Sequence, residues 1–231
     1  MNKNDFPLYR EIIITKDGSH SLYVPSLDET YHSSYGAAQE ANHIFIKDAL
    51  AWRAQEQEEL NILEIGFGTG LNALLSMKYA QENYLSLYYF GIEKYPITEA
   101  EFQILNYVVD SPILQARFQK LHHTEWGSWN RISDCFTLFK LQTDFRKMNL
   151  KSDFFDVVYF DAFGPDVQPD LWTEAIFSLI FNSMRAKGVM TSYSVKGKVR
   201  RAMEAVGFNV AKIPGPLGKR EITRAIKPVN Y

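Results

Sequence analysis

The segment Asn61-Ile62-Leu63-Glu64-Ile65-Gly66-Phe67-Gly68-Thr69-Gly70-Leu71-Asn72 constrains the fold of this chain more than any other. A short apolar run leads into three glycines at alternate positions, and Leu71 to Leu75 then opens an apolar helical pattern. Without Cβ atoms, such a strand-to-helix turn packs tightly and lets a ligand lie against bare backbone, beside the unpaired N–H groups of a helix N-terminus. The turn is therefore either a nucleotide-type cofactor site or a glycine-rich connection that binds nothing. The dinucleotide form of the motif needs Gly or Ala at position 71, where leucine stands.

The pattern on either side predicts an α/β, doubly wound sheet of Rossmann type. Leu8 to Thr15 and Ser21 to Val24 flank Lys16-Asp17-Gly18-Ser19, a hairpin signal, and Tyr35 to Arg53 carries a helical apolar spacing. Residues 1–60 thus read as an accessory hairpin and helix, and residues 61–231 as one compact unit. Beyond the glycine turn, strands are expected at Leu85–Glu93, Cys135–Gln142, Phe154–Phe160 and Gly188–Tyr193, with Phe208–Ile213 and Glu221–Lys227 as a closing pair. Helices are expected at Thr98–Tyr107, Pro112–Leu121, Thr173–Met184 and Gly197–Val206. This alternation argues a mostly parallel sheet covered on both faces.

Composition closes off several classes. The apolar stretches are only strand-length and Met1-Asn2-Lys3-Asn4-Asp5 lacks the regions of a signal peptide, so a soluble, cytoplasmic protein without membrane contact is expected. Cys135, the only cysteine, reads as a packed thiol. His20, His32, His43, His122 and His123 lack metal-ligand spacing, so no metal site is expected. The net charge of −2 conceals an asymmetry: residues 185–231 hold 11 Lys and Arg against Glu204 and Glu221, about +9. That points to a polyanionic partner on one face, or to a set of solvated lysines and arginines.

In a doubly wound sheet, ligands sit beyond the carboxyl ends of the strands. Glu93 closes the second strand and can accept from both ribose hydroxyls of a nucleoside cofactor, or pair with Lys94 on the surface. Asp144 follows the third strand and can receive an adenine amino group, or serve as an ordinary loop residue. Asp161 ends the fourth strand and opens Asp161-Ala162-Phe163-Gly164-Pro165-Asp166, a loop held in a non-helical path by its glycine and prolines. Asp161 there can orient an amine and take its proton, with Phe163 as a stacking wall. Alternatively the two are a buried cap and a core ring.

The Glu-x-Gly-x-Gly-x-Gly order of Glu64, Gly66, Gly68 and Gly70 resembles motif I of S-adenosyl-L-methionine (SAM)-dependent methyltransferases of class I. Together with the Asp161 loop, Lys196-Gly197-Lys198-Val199-Arg200-Arg201, Gly215-Pro216-Leu217-Gly218-Lys219-Arg220-Glu221 and Ser26-Leu27-Asp28-Glu29-Thr30-Tyr31, it resembles a more specific family. That family is the methyltransferase domain of the bifunctional tRNA wobble-uridine modification enzymes and its stand-alone relatives. The resemblance implies methyl transfer from SAM to the aminomethyl nitrogen of 5-aminomethyl-(2-thio)uridine at position 34, without metal or flavin. It implies that Asp161 is catalytic and that Glu64, Gly66, Phe67, Gly68, Gly70, Asn72, Glu93 and Asp144 line the SAM site. Phe163 would meet the base, and Lys196, Lys198, Arg200, Arg201, Lys219, Arg220 and Arg224 would hold phosphates of the tRNA anticodon stem-loop. The flavin-dependent oxidase of the bifunctional form has no counterpart before Tyr231, so upstream modification enzymes are expected to supply the aminomethyl substrate. Two other classes stay open: a methyl- or aminopropyltransferase on a small amine, which would not need the basic segment, and a non-catalytic RNA-binding module.

Overall fold

A computed structural model describes residues 8–108 and 111–229; Met1 to Asp5, which bear on the signal-peptide expectation, lie outside them. The chain begins with a small antiparallel sheet of β1 (Glu11–Ile14), β2 (His20–Val24) and β3 (Glu29–Thr30). The hairpin between β1 and β2 turns on Asp17, whose carboxylate accepts from the Ser19 N–H at 3.0 Å, with Gly18 at φ +81°.

The main sheet holds eight strands: β4 (Glu59–Ile65), β5 (Ser86–Glu93), β6 (Trp129–Ser133), β7 (Phe136–Gln142), β8 (Phe155–Phe160), β9 (Met184–Ser192), β10 (Asn209–Pro214) and β11 (Glu221–Ile226). Their spatial order is β10-β11-β9-β8-β4-β5-β7-β6. The five strands from β9 to β7 run parallel, and β10, β11 and β6 join as antiparallel edges. Central strands are buried on both faces, and alternation divides them between two layers. Ile62, Val157 and Tyr159 enter one core, while Leu63, Val158 and Phe160 enter the other.

The first core is covered by α1 (Ala37–Ala41), α2 (Leu71–Glu82) and α4 (Pro112–His123); the short α3 (Glu99–Gln103) adds Phe102. The second is covered by α5 (Glu174–Ser183) and α6 (Gly197–Ala205). Capping fixes several starts: Thr98 forms a reciprocal box with Glu101, Ser111 accepts from Leu114 N–H ahead of Pro112, and Thr173 accepts from Ile176 N–H.

Three details depart from the sequence expectation. The helix expected from Tyr35 starts at Ala37, and Asn42–Ala51 are wound as a π-helix, which keeps Ile44, Phe45, Ala49 and Leu50 all buried. The helix expected over Thr98–Tyr107 is five residues long. Trp129–Ser133, not anticipated as a strand, pairs with β7 and forms the sheet edge.

Candidate active site

Strand order reverses around β4, whose neighbours are β5 on one side and β8 on the other, so a crevice opens at the carboxyl ends of these strands. The glycine turn follows β4 and Asp161 follows β8, and the two segments touch. Asp161 N–H donates to the Ile65 carbonyl at 3.0 Å, and a Cβ on Gly66, which has φ +92°, would lie 2.5 Å from the Asp161 carbonyl oxygen. Only glycine fits at position 66. The resulting cleft has a volume of about 860 Å³ and is walled by both main-sheet loops and the N-terminal segment.

Three polar side chains form a line at its floor. The buried amide of Asn72, the second residue of α2, donates to Glu64 Oε1 and to Asp161 Oδ2, each at 2.9 Å. Both amide protons are thus committed, which fixes the Asp161 carboxyl in one orientation. Burial pushes Asp161 up to about 7, against the Asn72 hydrogen bond, which pulls it down. Glu64 is fully buried and is raised well above the usual carboxylate range by that burial, which disfavours its ionised form. Asp161 is then a carboxylate on the brink of protonation at neutral pH, suited to exchanging a proton with an amine.

Glu93 stands at the end of β5 as expected, but its carboxylate also builds the turn: Oε2 accepts from Gly68 N–H at 3.0 Å and Oε1 from Tyr95 N–H at 2.8 Å. Each oxygen keeps a lone pair for a ligand hydroxyl. Lys94 pairs with Asp144 at 3.4 Å, not with Glu93. Asp144 lines the cleft, yet it caps the short turn Phe145–Lys147 and takes Arg146 Nε at 2.9 Å, which holds it far below the carboxylate range. An adenine amine there would have to share that carboxylate with Arg146.

Two expected members contribute differently. The Phe67 ring is 3% exposed and packs on Gly91, His122 and Trp126, so only its backbone belongs to the cleft. Gly70, at φ +73°, faces the His122 ring at 3.0 Å from a Cβ and serves the start of α2 instead of lining the cleft. Phe163 does line it, edge-on to Tyr31 at 5.4 Å and 87°.

Sequence reasoning assigned no role to several cleft residues. Tyr31 lies over the turn, 3.1 Å from a Cβ on Gly68, and its hydroxyl accepts from Arg10 Nε at 2.8 Å. Arg10 in turn bonds Glu101 and the Tyr95 carbonyl, so the N-terminal segment is riveted to the main unit. Tyr193, at the end of β9, donates to the Ala162 carbonyl at 2.8 Å. Tyr31 was visible as part of a motif; Glu40, which enters the cleft from α1, carried no signal.

The basic segment is largely neutralised in space. Arg185 pairs with Asp156, Lys187 with Glu56, Lys196 with Asp166, Lys219 with Glu40 and Lys227 with Asp153, all acids from the first 184 residues. Arg200 pairs with Glu204 and Lys212 with Glu221. Arg224 lies over the Trp52 ring. Lys198, Arg201 and Arg220 make no ion pair among the described residues. Lys219, expected on phosphate, is therefore reassigned: its ammonium is drawn into the cleft by Glu40.

A doubly wound sheet with a glycine turn and a carboxylate at its switch point is the architecture of class I SAM-dependent methyltransferases, and residues 136–228 match the family described as S-adenosyl-L-methionine-dependent methyltransferase. The chain is a SAM-dependent methyltransferase, and SAM is its cofactor. Among its relatives, the tRNA 5-methylaminomethyl-2-thiouridine biosynthesis bifunctional protein MnmC of Cupriavidus metallidurans is 29% identical over 232 residues, 93% of this chain and 33% of that one. The protein of the same name from Azoarcus sp. is 30% identical over 219 residues, 87% of this chain and 33% of that one. The chain thus spans about a third of the length of these relatives. The crystal structure of MnmC2 from Aquifex aeolicus superposes with a TM-score of 0.79 at 28% identity, over 99% of this chain and 75% of that one. Spermidine synthase from Thermotoga maritima, at TM-score 0.56 and 13% identity over 96% of this chain and 73% of that one, shares the fold.

The residues present suit SAM. Gly66 and Gly68 leave backbone bare where Cβ atoms would intrude, Glu93 offers charged acceptors at the end of the neighbouring strand, and the cleft is of ligand size. The buried Glu64 Oε2 has no aligned hydrogen bond among the described residues, although the Tyr89 hydroxyl lies near it. No group of three or more His, Cys, Asp or Glu capable of holding a metal occurs among the described residues, and no helix there is long and apolar enough to cross a membrane.

Proposed function

We propose that the chain methylates the aminomethyl nitrogen of 5-aminomethyl-(2-thio)uridine at wobble position 34 of tRNA, giving 5-methylaminomethyl-(2-thio)uridine. The observation that carries this reading is Asp161, held by Asn72 at the mouth of the fourth parallel strand beside the cofactor turn, beneath an aromatic wall of Phe163, Tyr31 and Tyr193. The names of the MnmC relatives supply the substrate class.

SAM, when bound between the glycine turn and Glu93, supplies an electrophilic methyl carbon. An alkylamine reaches the cleft as an ammonium and has no lone pair to attack with until it loses a proton. Asp161, poised near 7, takes that proton and keeps the nitrogen hydrogen-bonded and aligned. A flat base splayed from the anticodon loop would stack on Phe163. Arg201, Arg220 and Lys198 are the cations free to meet phosphate, with Lys196 and Arg200 able to exchange exposed carboxylate partners for it. A cytoplasmic setting and a supply of aminomethyl-uridine from upstream modification enzymes belong to the same reading, as do residues 1–60 as an accessory segment, whose described part walls the site.

The test is nucleoside mass analysis of tRNA carrying 5-aminomethyl-2-thiouridine after incubation with the purified protein and SAM. A methyl gain on that nucleoside is expected. Its absence, with methylation or aminopropylation of a free small amine instead, would replace the tRNA reading by the small-amine one.

A further inference from the structure

The loop between β10 and β11 turns inward. A Cβ on Gly215 would come within 2.5 Å of the Lys219 carbonyl oxygen, and one on Gly218, at φ +87°, within 2.5 Å of the Tyr35 ring. This tight path brings Lys219 to the acceptor side of the cleft, where its ammonium pairs with Glu40 and lies 4.5 Å from the Tyr193 ring centroid. Glu40 is anchored in turn, its Oε2 accepting from Ser33 N–H at 2.8 Å. Tyr193 bonds the carbonyl of Ala162, the residue next to Asp161.

We infer that Lys219 is a positioning residue for Asp161: its ion pair with Glu40 sets the charge facing the Asp161 carboxylate, and so sets how readily that carboxylate takes a proton from an incoming ammonium. The substrate side of this inference rests on the amine reading above; the electrostatic side rests on the Lys219–Glu40 pair and its place at the cleft, whatever the substrate. The groups facing Asp161 are Glu64 and Tyr89 from the sheet, Asn72 from α2, Glu40 from α1, Tyr193 from the end of β9, and Lys219. Burial disfavours the ions of Glu64 and of both tyrosines, so these groups lean to their neutral forms. That leaves Glu40, which pushes Asp161 toward protonation, and Lys219, which opposes it. The step served is balanced: an ammonium and the carboxylate become an amine and the carboxylic acid, with one proton moved and no co-reactant.

The experiment compares Lys219→Met, Glu40→Gln, the double variant and Lys219→Arg. The Asp161 carboxyl is titrated by ¹³C NMR in the unliganded protein, and the pH dependence of single-turnover methylation is measured beside it. Lys219→Met is expected to move the Asp161 midpoint up by roughly one pH unit and Glu40→Gln to move it down by about as much. The double variant and Lys219→Arg should stay close to wild type. A residue that merely holds the loop would not give shifts of opposite sign, so equal midpoints, or shifts in one direction for both single variants, overturn the inference. So does a tRNA salt dependence that Lys219→Met lowers by a full charge, since that is the phosphate role. If Lys219→Met does not fold, Glu40→Gln and Lys219→Arg are judged by the same midpoints. Shifts of the expected signs in a protein that methylates no aminomethyl-uridine tRNA uphold the positioning role and remove the proposed substrate.

Discussion

Asp161→Asn is expected to harm the chemistry and help the fold, in a way that depends on pH. Burial raises the Asp161 carboxyl from 3.8 to about 7, so the folded chain binds a proton more readily there than the unfolded chain does. For a raised group, the associated stability is fully present below the unfolded pKa and is lost as pH rises through the folded one. The window here runs from about pH 4 to 7. A displacement of this size bounds the loss at about 4 kcal/mol, at 1.36 kcal/mol per pH unit. Asp161 borders an open cleft and is partly exposed, so solvent screening leaves about 1–2 kcal/mol of that bound. Asparagine does not titrate, and its carbonyl oxygen can still accept from Asn72. Glu64 titrates in the same sense in both proteins and cancels to first order. Urea unfolding of the unliganded proteins at pH 4.5 and pH 8 should show the advantage of Asp161→Asn growing by about 1–2 kcal/mol with pH. Single-turnover methylation should fall by about 10²–10⁴-fold. A stability difference that is constant, or that shrinks as pH rises, would refute the view that Asp161 is a strained, charge-poised group.

Gly66→Ala should cost at least about 2 kcal/mol and abolish SAM binding, because it adds left-handed strain and a Cβ 2.5 Å from the Asp161 carbonyl; a stable variant with normal calorimetric affinity would contradict this. Glu93→Gln turns one acceptor into a donor facing either Gly68 N–H or Tyr95 N–H, and should weaken SAM by about 1.5–3 kcal/mol in calorimetry. Unchanged affinity would take Glu93 out of the site. Replacing Arg201 and Arg220 by Ala should flatten the slope of log K against log salt for tRNA by about 1.5–2, whereas Lys196→Ala should change it less because Asp166 already holds that charge. Equal slopes in the arginine double variant would remove that face as the tRNA surface.

What was legible in the sequence was what local chemistry dictates. The glycine turn, Glu93 at the end of β5 and Asp161 at the end of β8 each sit where a strand must stop, and turn residues mark such places. What was not legible depends on where side chains point after packing. Phe67 alternates with the cradle glycines, yet its ring fills the hollow left by the absent Cβ of Gly91, a match between two strands that no local pattern encodes. Gly70 looks equivalent to Gly66 and Gly68 in spacing, but the helix start turns it toward His122. Trp129–Ser133 is a short, partly polar edge strand whose pairing comes wholly from β7. Asn72, a buried polar residue in the first turn of α2, becomes the link between two carboxyl groups only when β4 and β8 are neighbours.

The charge asymmetry shows the same divide between sequence and space. Counted along the chain, the last 47 residues are strongly basic. In the fold, β9 lies between β8 and β11, and the loop after β10 returns to α1, so the segment's cations are threaded among acids of the earlier chain. Asp156 is fully buried and takes Arg185 at 3.0 Å and Asn61 N–H at 2.9 Å, a structural pairing at the amino end of the sheet, far along the strands from the cleft. A cation committed to a buried carboxylate, as Arg185 is, cannot also be counted toward a polyanion. On the proposed tRNA reading, the electrostatic footprint therefore shrinks from a whole segment to α6 and the Gly218–Arg220 turn. Both flank the cleft mouth, with Lys196 meeting Asp166 of the Asp161 loop and Lys219 meeting Glu40. A small footprint beside the reacting carboxylate favours binding that positions one nucleotide over binding that grips the whole molecule, and it makes a weak, salt-sensitive affinity the expected companion of site-specific methylation.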